Sequence, residues 1–568
     1  MAWLDLLLTA LLIGGLGVLA LLSLHLALLT ALRGLLPAKP VPAALPPDED
    51  LPSVLVQLPV YNEAALVERA LAAIAALDWP RDRLTIQVLD DSTDDSLATS
   101  RHAVASLGLR GWRVSLHHRQ VRTGFKAGAL AAGLAQCDAP FVAVFDADFT
   151  PPPDFLRRTV GVLLADPDIG HVQARWLHTN RYASLLTRAQ ARLLDGHFHV
   201  EQGVRHRLGL PVPFNGTCGV WRRAAIDGAG GWSGDTLTED LDLSLRARLA
   251  GWRSAFLPGL GVPGELPATP HAWRAQQFRW TKGFVECLRK LTPRIWASRQ
   301  LPLWQKLLIT LQLAQPLSFL VGSACVLAAL PFLAGWLMPG PLLTAGALTT
   351  TSIGLLGPLG LMISGGILDA RERPAVRLLL REAAGALVLT SGLLLSNARA
   401  GAEALAGIRS PFVRTPKGAV GVQCAMPRWH YLLVGLPELA AGGGLLLFVL
   451  IQQPLALPAL TLAVGGLLTL GWLLLRDALS SVTVAEADDA DETAAAPTLP
   501  LILTLAPKPD AHDTQPCAPV WAAPDAAQLG MRQDSPAVGR VQRSAGLSLR
   551  PLTLDSPSAP LNSAPAAD

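Results

Sequence analysis

The sequence predicts an α/β domain inserted between transmembrane helices of a multi-pass membrane protein. Of its 568 residues 51% are hydrophobic, which is too apolar for a wholly soluble protein of this length. Outside the C-terminal tail, most Asp, Glu, Lys and Arg residues lie between residues 40 and 300. Within that range strand-like and helix-like segments alternate, as they do in βαβ units.

The first segment, residues 1–36, is predicted to be a transmembrane helix. No Asp, Glu, Lys or Arg occurs between Asp5 and Arg33, and that stretch is long enough to cross a bilayer. Basic residues follow the apolar stretch, at Arg33 and Lys39, so we expect a retained anchor rather than a signal peptide. The bias of basic residues toward the cytoplasm then places the N-terminus on the outer side.

Residues 45–300 are predicted to form the α/β domain, on the cytoplasmic side of the membrane. The segments are strands at 54–58, 84–89, 114–116 and 141–145, and helices at 62–77, 95–107 and 125–134. Asn62 is a candidate helix cap. In such sheets ligands bind beyond the carboxyl ends of the strands. Polar clusters occur there at 61–63, 90–91 and 146–148, so we expect one shared site.

After residue 300 the chain is predicted to return to the membrane. Residues 301–370 are assigned an amphipathic interfacial helix and two transmembrane helices, and residues 429–478 two more. Residues 371–428 carry repeated arginines and are assigned to the cytoplasmic side, with an interfacial helix at 385–395. The expected number of spans is about five. Residues 479–568, rich in Pro, Ala and Ser, are predicted to form a disordered cytoplasmic tail.

Charge and cysteine content argue against some classes of protein. The 47 Lys and Arg against 44 Asp and Glu give a formal net charge of +3, with no Arg/Lys-rich run, so nothing favours a nucleic-acid partner. The six cysteines are scattered, without a Cys-x-x-Cys pair or the spacing of a zinc site. We expect them to be reduced thiols.

Three of the polar clusters could contact a nucleotide. Asp146 and Asp148 end an apolar strand, where alternate carboxylates can share a divalent cation and leave its other positions to diphosphate oxygens. A solvated turn would use the same residues. Asp90 and Asp91 could face a nucleobase or ribose. Lys126 lies in a glycine-containing run and could neutralise a phosphate near a helix start, or could belong to an ordinary basic turn.

Two further clusters lie later in the domain. Phe214, Gly216 and Thr217 would place a ring and small polar groups beside a second substrate, although they also suit a tight turn. Glu239 and Asp240 open a helical segment, where carboxylates favour a helix N-terminus. The functional alternative is that one of these carboxylates is a general base.

A last motif, Gln276-x-x-Arg279-Trp280, directly precedes the apolar half of the chain. It combines amide donors, a planar cation suited to phosphate oxygens and a flat ring on which a sugar can stack. An amphipathic interfacial helix with a tryptophan anchor would also explain it. The motif alone does not decide between the two interpretations.

Taken in order, the motifs resemble those of processive family 2 glycosyltransferases of the cellulose-synthase-like type, in the branch of glucomannan, mannan and glucan synthases. The matching segments are Pro59-Val-Tyr-Asn62-Glu63, Asp90-Asp91-Ser, Lys126-Ala-Gly-Ala, Asp146-Ala-Asp148, Phe214-Asn-Gly-Thr217, Thr238-Glu-Asp240 and Gln276-x-x-Arg279-Trp280. The resemblance covers roughly residues 50–430. It includes a segment at 411–418 that is similar to a gating loop, although it departs from the family's Phe-x-Val-Thr-x-Lys pattern.

The resemblance implies a GT-A fold, a Rossmann-like nucleotide-diphospho-sugar transferase domain. It also implies hexose transfer from UDP-glucose or GDP-mannose to a growing polysaccharide, with a β-linkage formed by inversion. Asp240 becomes the general base, and Asp146 and Asp148 become ligands of Mg2+ or Mn2+. The implied donor contacts are Asp90, Asp91, Lys126, Asp146, Asp148, Gln276 and Arg279. The implied acceptor contacts are Phe214, Gly216, Thr217, Glu239 and Trp280.

Two other functions stay open on the sequence. A non-processive transferase that glycosylates a membrane lipid would also place its site at the bilayer surface, although Gln-x-x-Arg-Trp favours polymerisation. A non-catalytic transporter or scaffold is disfavoured because carboxylates occupy every expected position. The donor sugar, the linkage and the oligomeric state are not determined by these motifs.

Overall fold

A computed structural model describes residues 2–37, 47–337, 341–369, 375–410, 435–452 and 457–494. The predicted gating-like segment at 411–418 and the tail beyond residue 494 lie outside the described residues. The first part of the predicted tail, by contrast, is helical, because the last helix continues to Ala494. Its alanines and glutamates are strong helix formers, which explains the difference from the prediction.

A seven-stranded mixed sheet forms the centre of the α/β domain. The strands are β1 (Val54–Val60), β2 (Leu84–Asp90), β3 (Arg113–His118), β4 (Phe141–Val144), β5 (Ile169–His178), β6 (Gly219–Arg222) and β7 (Arg253–Gly264). Their order in the sheet is β3-β2-β1-β4-β6-β5-β7. The first four strands run parallel, β6 runs antiparallel to both of its neighbours, and β5 pairs with β7 in parallel.

The helices of the α/β domain lie on both faces of the sheet. They are α2 (Ala64–Ala75), α3 (Ser96–Leu109), α4 (Phe125–Leu134), α5 (Phe155–Ala165), α6 (Leu185–Gly196), α7 (Gly203–Leu208), α8 (Arg223–Gly228), α9 (Glu239–Leu249) and α10 (Pro270–Ala297). Two of them, α6 and α10, pack against the apolar helices. A π-helix, His197–Gln202, joins α6 to α7. Successive residues of β1 face opposite sides, so Val54 and Val56 belong to one apolar cluster and Leu55 to another. Both faces of the sheet are therefore buried.

The predicted alternation of strands and helices up to residue 145 is confirmed, but one detail is wrong. Asn62 does not cap α2, which begins at Ala64. Asn62 instead has a positive φ of 54°, and its side-chain oxygen accepts a hydrogen bond from the Thr93 amide at 2.9 Å. Its amide group therefore links the loops that follow β1 and β2.

The apolar helices lie at both ends of the chain. They are α1 (Ala2–Leu35), α11 (Leu303–Ala314), α12 (Leu317–Leu333), α13 (Pro341–Leu368), α14 (Val376–Gly392), α15 (Leu394–Ala406), α16 (Leu436–Gln452) and α17 (Leu457–Ala494). The N-terminal α1 packs against α12 and α13. The N-terminal helix and helices that follow the α/β domain therefore form one helical assembly.

Among the described residues, two helical stretches are long and apolar enough to cross a membrane, Asp5–Leu35 and Leu460–Leu479. The number rises to four if α11 with α12, which meet at 63°, and α14 with α15, which meet at 54°, each form one bent span. The two segments predicted as interfacial helices thus belong to bent pairs. The total of about five spans stays a prediction.

Buried ion pairs join the α/β domain to the apolar helices. Arg192 of α6 donates through Nε to Glu382 of α14 at 3.1 Å, and both side chains are almost fully buried. Asp195 lies beside Arg192 and accepts a bidentate pair of hydrogen bonds from Arg181 at 2.6 and 3.1 Å. A buried charge that loses its partner is strongly destabilising, so the pair of Arg192 with Glu382 fixes how α14 lies on the domain.

Candidate active site

The carboxyl ends of β1, β2 and β4 lie at one edge of the sheet, as predicted for a shared site. Asp90 is the last residue of β2 and is fully buried. One of its carboxylate oxygens accepts a hydrogen bond from the Ser92 amide at 2.7 Å and so shapes its own turn. Asp90 therefore supports the loop at this edge.

The next residue, Asp91, is held by arginines that sequence reasoning missed. Arg119 donates to both of its carboxylate oxygens, at 2.9 and 2.5 Å. Nε of Arg122 lies 3.8 Å from Asp91, and its guanidinium lies 3.4 Å from the centre of the Tyr61 ring. A planar cation stacked on a ring beside a carboxylate is suited to a nucleobase. No short motif signals this group, because it joins three separate loops.

Lys126 connects three of the predicted motifs. It lies in the first turn of α4. Gly124, the residue just before this helix, has a positive φ of 71°. The Lys126 ammonium contacts an Asp146 carboxylate oxygen and donates to the Gly216 carbonyl at 2.9 Å. Burial opposes its charge, but the carboxylates of Asp146, Glu239 and Asp240 raise its pKa. Lys126 therefore stays a cation among acidic groups.

The turn at 214–217 lies directly against Asp240. Gly216 has a φ of 78°, and a Cβ at this position would come within 2.9 Å of an Asp240 carboxylate oxygen. The hydroxyl of Thr217 accepts a hydrogen bond from the Asp146 amide at 2.9 Å. The turn thus holds Asp146 and Asp240 in one site.

Two of the predicted acceptor contacts in this turn, Phe214 and Thr217, are buried. Phe214 is 1% exposed and packs against the rings of Trp221 and Trp232 in the core of the domain. Thr217 is fully buried beneath Asp146. Both side chains are covered by the protein's own residues, so their contact with an acceptor stays a prediction. They position the turn.

Asp240 lies in the first turn of α9 and is half-buried. One carboxylate oxygen accepts a hydrogen bond from the Leu241 amide at 2.8 Å. Burial and the neighbouring Glu239 carboxylate raise the pKa of Asp240 to about 7, against the opposing effects of Lys126 and Arg279. A carboxylate that exchanges a proton near neutral pH has the property required of a general base.

The helix α10 carries Gln276, Arg279 and Trp280, and it brings Arg279 to the same site. Gly283, in the next turn, packs so closely that a Cβ there would lie 2.5 Å from Thr238. Burial lowers the pKa of Arg279, and the carboxylates of Glu239, Asp240 and Asp146 act in the opposite direction. Arg279 therefore lies within electrostatic reach of all three acids. Gln276 is buried and Trp280 half-buried on this helix.

Asp146 and Asp148 are the only predicted metal ligands, and their surroundings bear on that role. Asp148 is buried, and one of its oxygens accepts a hydrogen bond from the Glu265 amide at 3.2 Å. Asp146 is one-third exposed and contacts Lys126. In the part of the chain that the structure describes, no group of three His, Cys, Asp or Glu side chains could hold a metal. Two carboxylates fit Mg2+ or Mn2+ when a substrate's phosphates supply further ligands.

Comparison with known proteins identifies the class of this domain. Residues 52–283 match the family described as "Glycosyltransferase like family 2", and this range contains every residue of the predicted site. The chain therefore carries a family 2 glycosyltransferase domain. Its seven-stranded mixed sheet is the GT-A fold that the motifs implied.

The similar proteins agree on one branch of the family. Glucomannan 4-beta-mannosyltransferase 2 from Arabidopsis thaliana is 43% identical over 271 residues, which cover 46% of this chain and 51% of that protein. Glucomannan 4-beta-mannosyltransferase 1 from Oryza sativa subsp. japonica is 42% identical over 274 residues, covering 46% and 52%. This chain spans about half the length of these relatives. The resemblance to the glucomannan branch is confirmed.

The similar solved structures include a mannosyltransferase. A mannosyltransferase from Pyrobaculum calidifontis, in complex with GDP-Man and Mn2+, has a TM-score of 0.46 and is 22% identical. The similarity covers 70% of this chain and 99% of that chain.

Proposed function

We propose that this chain is an inverting β-glycosyltransferase that adds mannose, or a related hexose, from a nucleotide-sugar donor to a growing polysaccharide. The observation that carries the proposal is the position of Lys126. Its ammonium contacts Asp146 and the carbonyl of Gly216. A Cβ at Gly216 would lie only 2.9 Å from an Asp240 carboxylate oxygen. A cation for the donor's phosphates and a base for the acceptor are thus adjacent. Mannose is favoured because the relatives are named as mannosyltransferases.

In the proposed reaction Asp240 removes the proton from an acceptor hydroxyl as that oxygen attacks the anomeric carbon. Attack from the face opposite the nucleotide inverts the configuration, and the bond to the diphosphate oxygen breaks. Lys126 and Arg279 stabilise the charge that develops on the departing nucleoside diphosphate. Asp146 and Asp148 would hold a divalent cation, which when bound neutralises diphosphate charge. Trp280 would stack on the acceptor sugar, and Arg122 with Tyr61 on the nucleobase.

The same proposal places the domain on the cytoplasmic side of a cell membrane, with the apolar helices spanning the bilayer. Two contacts between α10 and the apolar helices α16 and α17 support a domain that lies directly against the membrane-spanning part. Arg274 pairs with the buried Glu438 of α16 at 2.8 Å, and His271 lies 2.9 Å from Asp477 of α17. The helix with the acceptor-side motif is therefore attached to the candidate spans, and a growing chain could leave between them.

The donor and the product test this function. Purified protein in lipid nanodiscs is given GDP-mannose or UDP-glucose, with Mn2+ or Mg2+, and the product is sized and its linkages determined. We expect GDP release and a β-linked mannose polymer, both lost on adding a chelator. A single glycolipid band would instead support the non-processive alternative. No transfer from either donor by folded protein would contradict the proposal.

The raised pKa of Asp240 predicts a pH dependence. The base must be deprotonated, so kcat/KM should be constant above pH 7 and fall about tenfold per unit below it. Because the Glu239 carboxylate helps to raise this pKa, Glu239→Gln should move the acidic limb to lower pH. Rates measured from pH 5 to 8 check both results. A profile that is flat over this range would exclude Asp240 as the titrating base.

A further inference from the structure

Beyond the contacts of His271 and Arg274 with α17 and α16, the helix α10 is attached on two further sides. On one side it contacts the loop before α9, through the close packing of Gly283 on Thr238 and a distance of 3.6 Å between the Thr238 hydroxyl and the Cys287 sulfur. On another side it packs along α15. Because Arg279 and Trp280 lie on this helix, both attachments determine where these side chains lie relative to Asp240.

The contact with α15 centres on a buried charge. The side chain of Lys282 is 0% exposed, and its ammonium donates to a Glu403 carboxylate oxygen at 2.8 Å. It also contacts the Ser410 hydroxyl. The second Glu403 oxygen accepts a hydrogen bond from Arg399 at 2.7 Å. A fully buried ammonium is costly without a partner, so the helix cannot rotate or slide here without exposing an unpaired charge.

This ion pair is close to the candidate active site along the helix. Lys282 follows Arg279 by less than one helical turn and Trp280 by two residues. Within a continuous helix, a shift at Lys282 also displaces the preceding turn. Neither Lys282 nor Glu403 belongs to the groups that would meet the substrates. Their contact can therefore act on the reaction only through the placement of α10.

We propose that Lys282 and Glu403 are positioning residues, whose ion pair holds Arg279 and Trp280 in the orientation required for sugar transfer. This inference rests on the proposed function. A positioning role differs from a role in which the ion pair only holds the α/β domain against the apolar helices. Arg192 and Glu382 supply the matched comparison, because they form an equally buried pair between the domain and α14 that does not involve α10.

The test replaces each pair by apolar residues of similar size, K282M/E403L against R192M/E382L, in full-length protein in nanodiscs. Removing both charges avoids the unpaired charge that Lys282→Met alone would leave. We expect K282M/E403L to lower kcat about tenfold, which is less than the 10²-fold loss that a 1 Å misplacement can cause. The R192M/E382L variant should keep the wild-type kcat. The single variant Lys282→Arg, which keeps the positive charge beside Glu403, should retain most of the wild-type kcat.

A second measurement does not depend on activity. Backbone amides at 238–242, against which α10 packs, should exchange hydrogen faster in K282M/E403L and at the wild-type rate in R192M/E382L. Wild-type kcat and exchange in K282M/E403L would overturn the inference, as would equal losses of kcat in the two double variants. If the wild-type protein transfers no sugar, the proposed function fails while the exchange measurement still tests the placement of α10.

Discussion

Replacing Asp240 by Asn is expected to reduce sugar transfer by about 10⁴-fold, the upper range for loss of a general base. The substitution keeps the size of the side chain and its hydrogen bond from the Leu241 amide, but it removes the group that accepts the proton. Donor binding should change little, because Lys126 and Arg279 are retained. Initial rates and the Kd of the nucleoside diphosphate, measured on the same preparation, separate the two effects.

Asp235→Asn is the control for this substitution. Asp235 lies in the loop before α9, is half exposed, and pairs with Lys290 at 2.7 Å. The variant removes one negative charge near α9 without touching the site, so we expect rates within about twofold of wild type, as for other surface ion pairs. Polymer synthesis that continues undiminished in Asp240→Asn would rule out the assigned base.

Replacing Gly216 by Ala is expected to lower kcat by more than about 10²-fold, since displacements near 1 Å have effects of this size. The added methyl would lie 2.9 Å from an Asp240 oxygen and 3.4 Å from the Lys126 ammonium, so the base and the cation must both move. The positive φ of 78° also disfavours alanine, at about 1 kcal/mol. Turnover and thermal unfolding are measured together.

Gly209→Ala separates the contact from the backbone strain. Gly209 has a similar φ of 66°, but a Cβ there would meet nothing within 4 Å. We therefore expect a comparable loss of stability, about 1 kcal/mol, with kcat within about twofold of wild type. Equal kcat losses in the two variants would mean that strain, and not the approach to Asp240, explains the effect of Gly216→Ala.

The α/β class could be predicted because its causes are local. Strands such as Val54–Val60 are apolar apart from Gln57, since both faces of a mostly parallel sheet are buried, and their polar ends follow at once in the sequence. The position of Asp90 and Asp146 at one sheet edge then follows from parallel pairing. The role of Asn62 could not be predicted in this way, because its side chain accepts a hydrogen bond from the next loop instead of capping a helix.

The site was predicted less completely. Phe214 and Thr217 were assigned to the acceptor from their motif, which does not reveal that both side chains are buried within the domain. Tyr61 was expected at the shared site only as part of the 61–63 cluster, and Arg119 and Arg122 were given no role, because a bidentate ion pair and a stacked cation join residues that are distant in sequence. Burial and contacts of this kind depend on the folded chain and leave no pattern in a short motif.

By itself the sequence determined that this protein combines apolar helices with an α/β domain, and which carboxylates follow the strands of that domain; the family was indicated by the resemblance of its ordered motifs. Hydrophobic periodicity and residue type carry that information locally. Only the tertiary structure decided that Lys126 contacts both Asp146 and Gly216 and that Asp240 has a pKa raised to about 7. It also decided that an ion pair of Lys282 with Glu403 joins α10 to α15. These properties arise from desolvation and from charges brought together across the fold, and both exist only after the chain has packed.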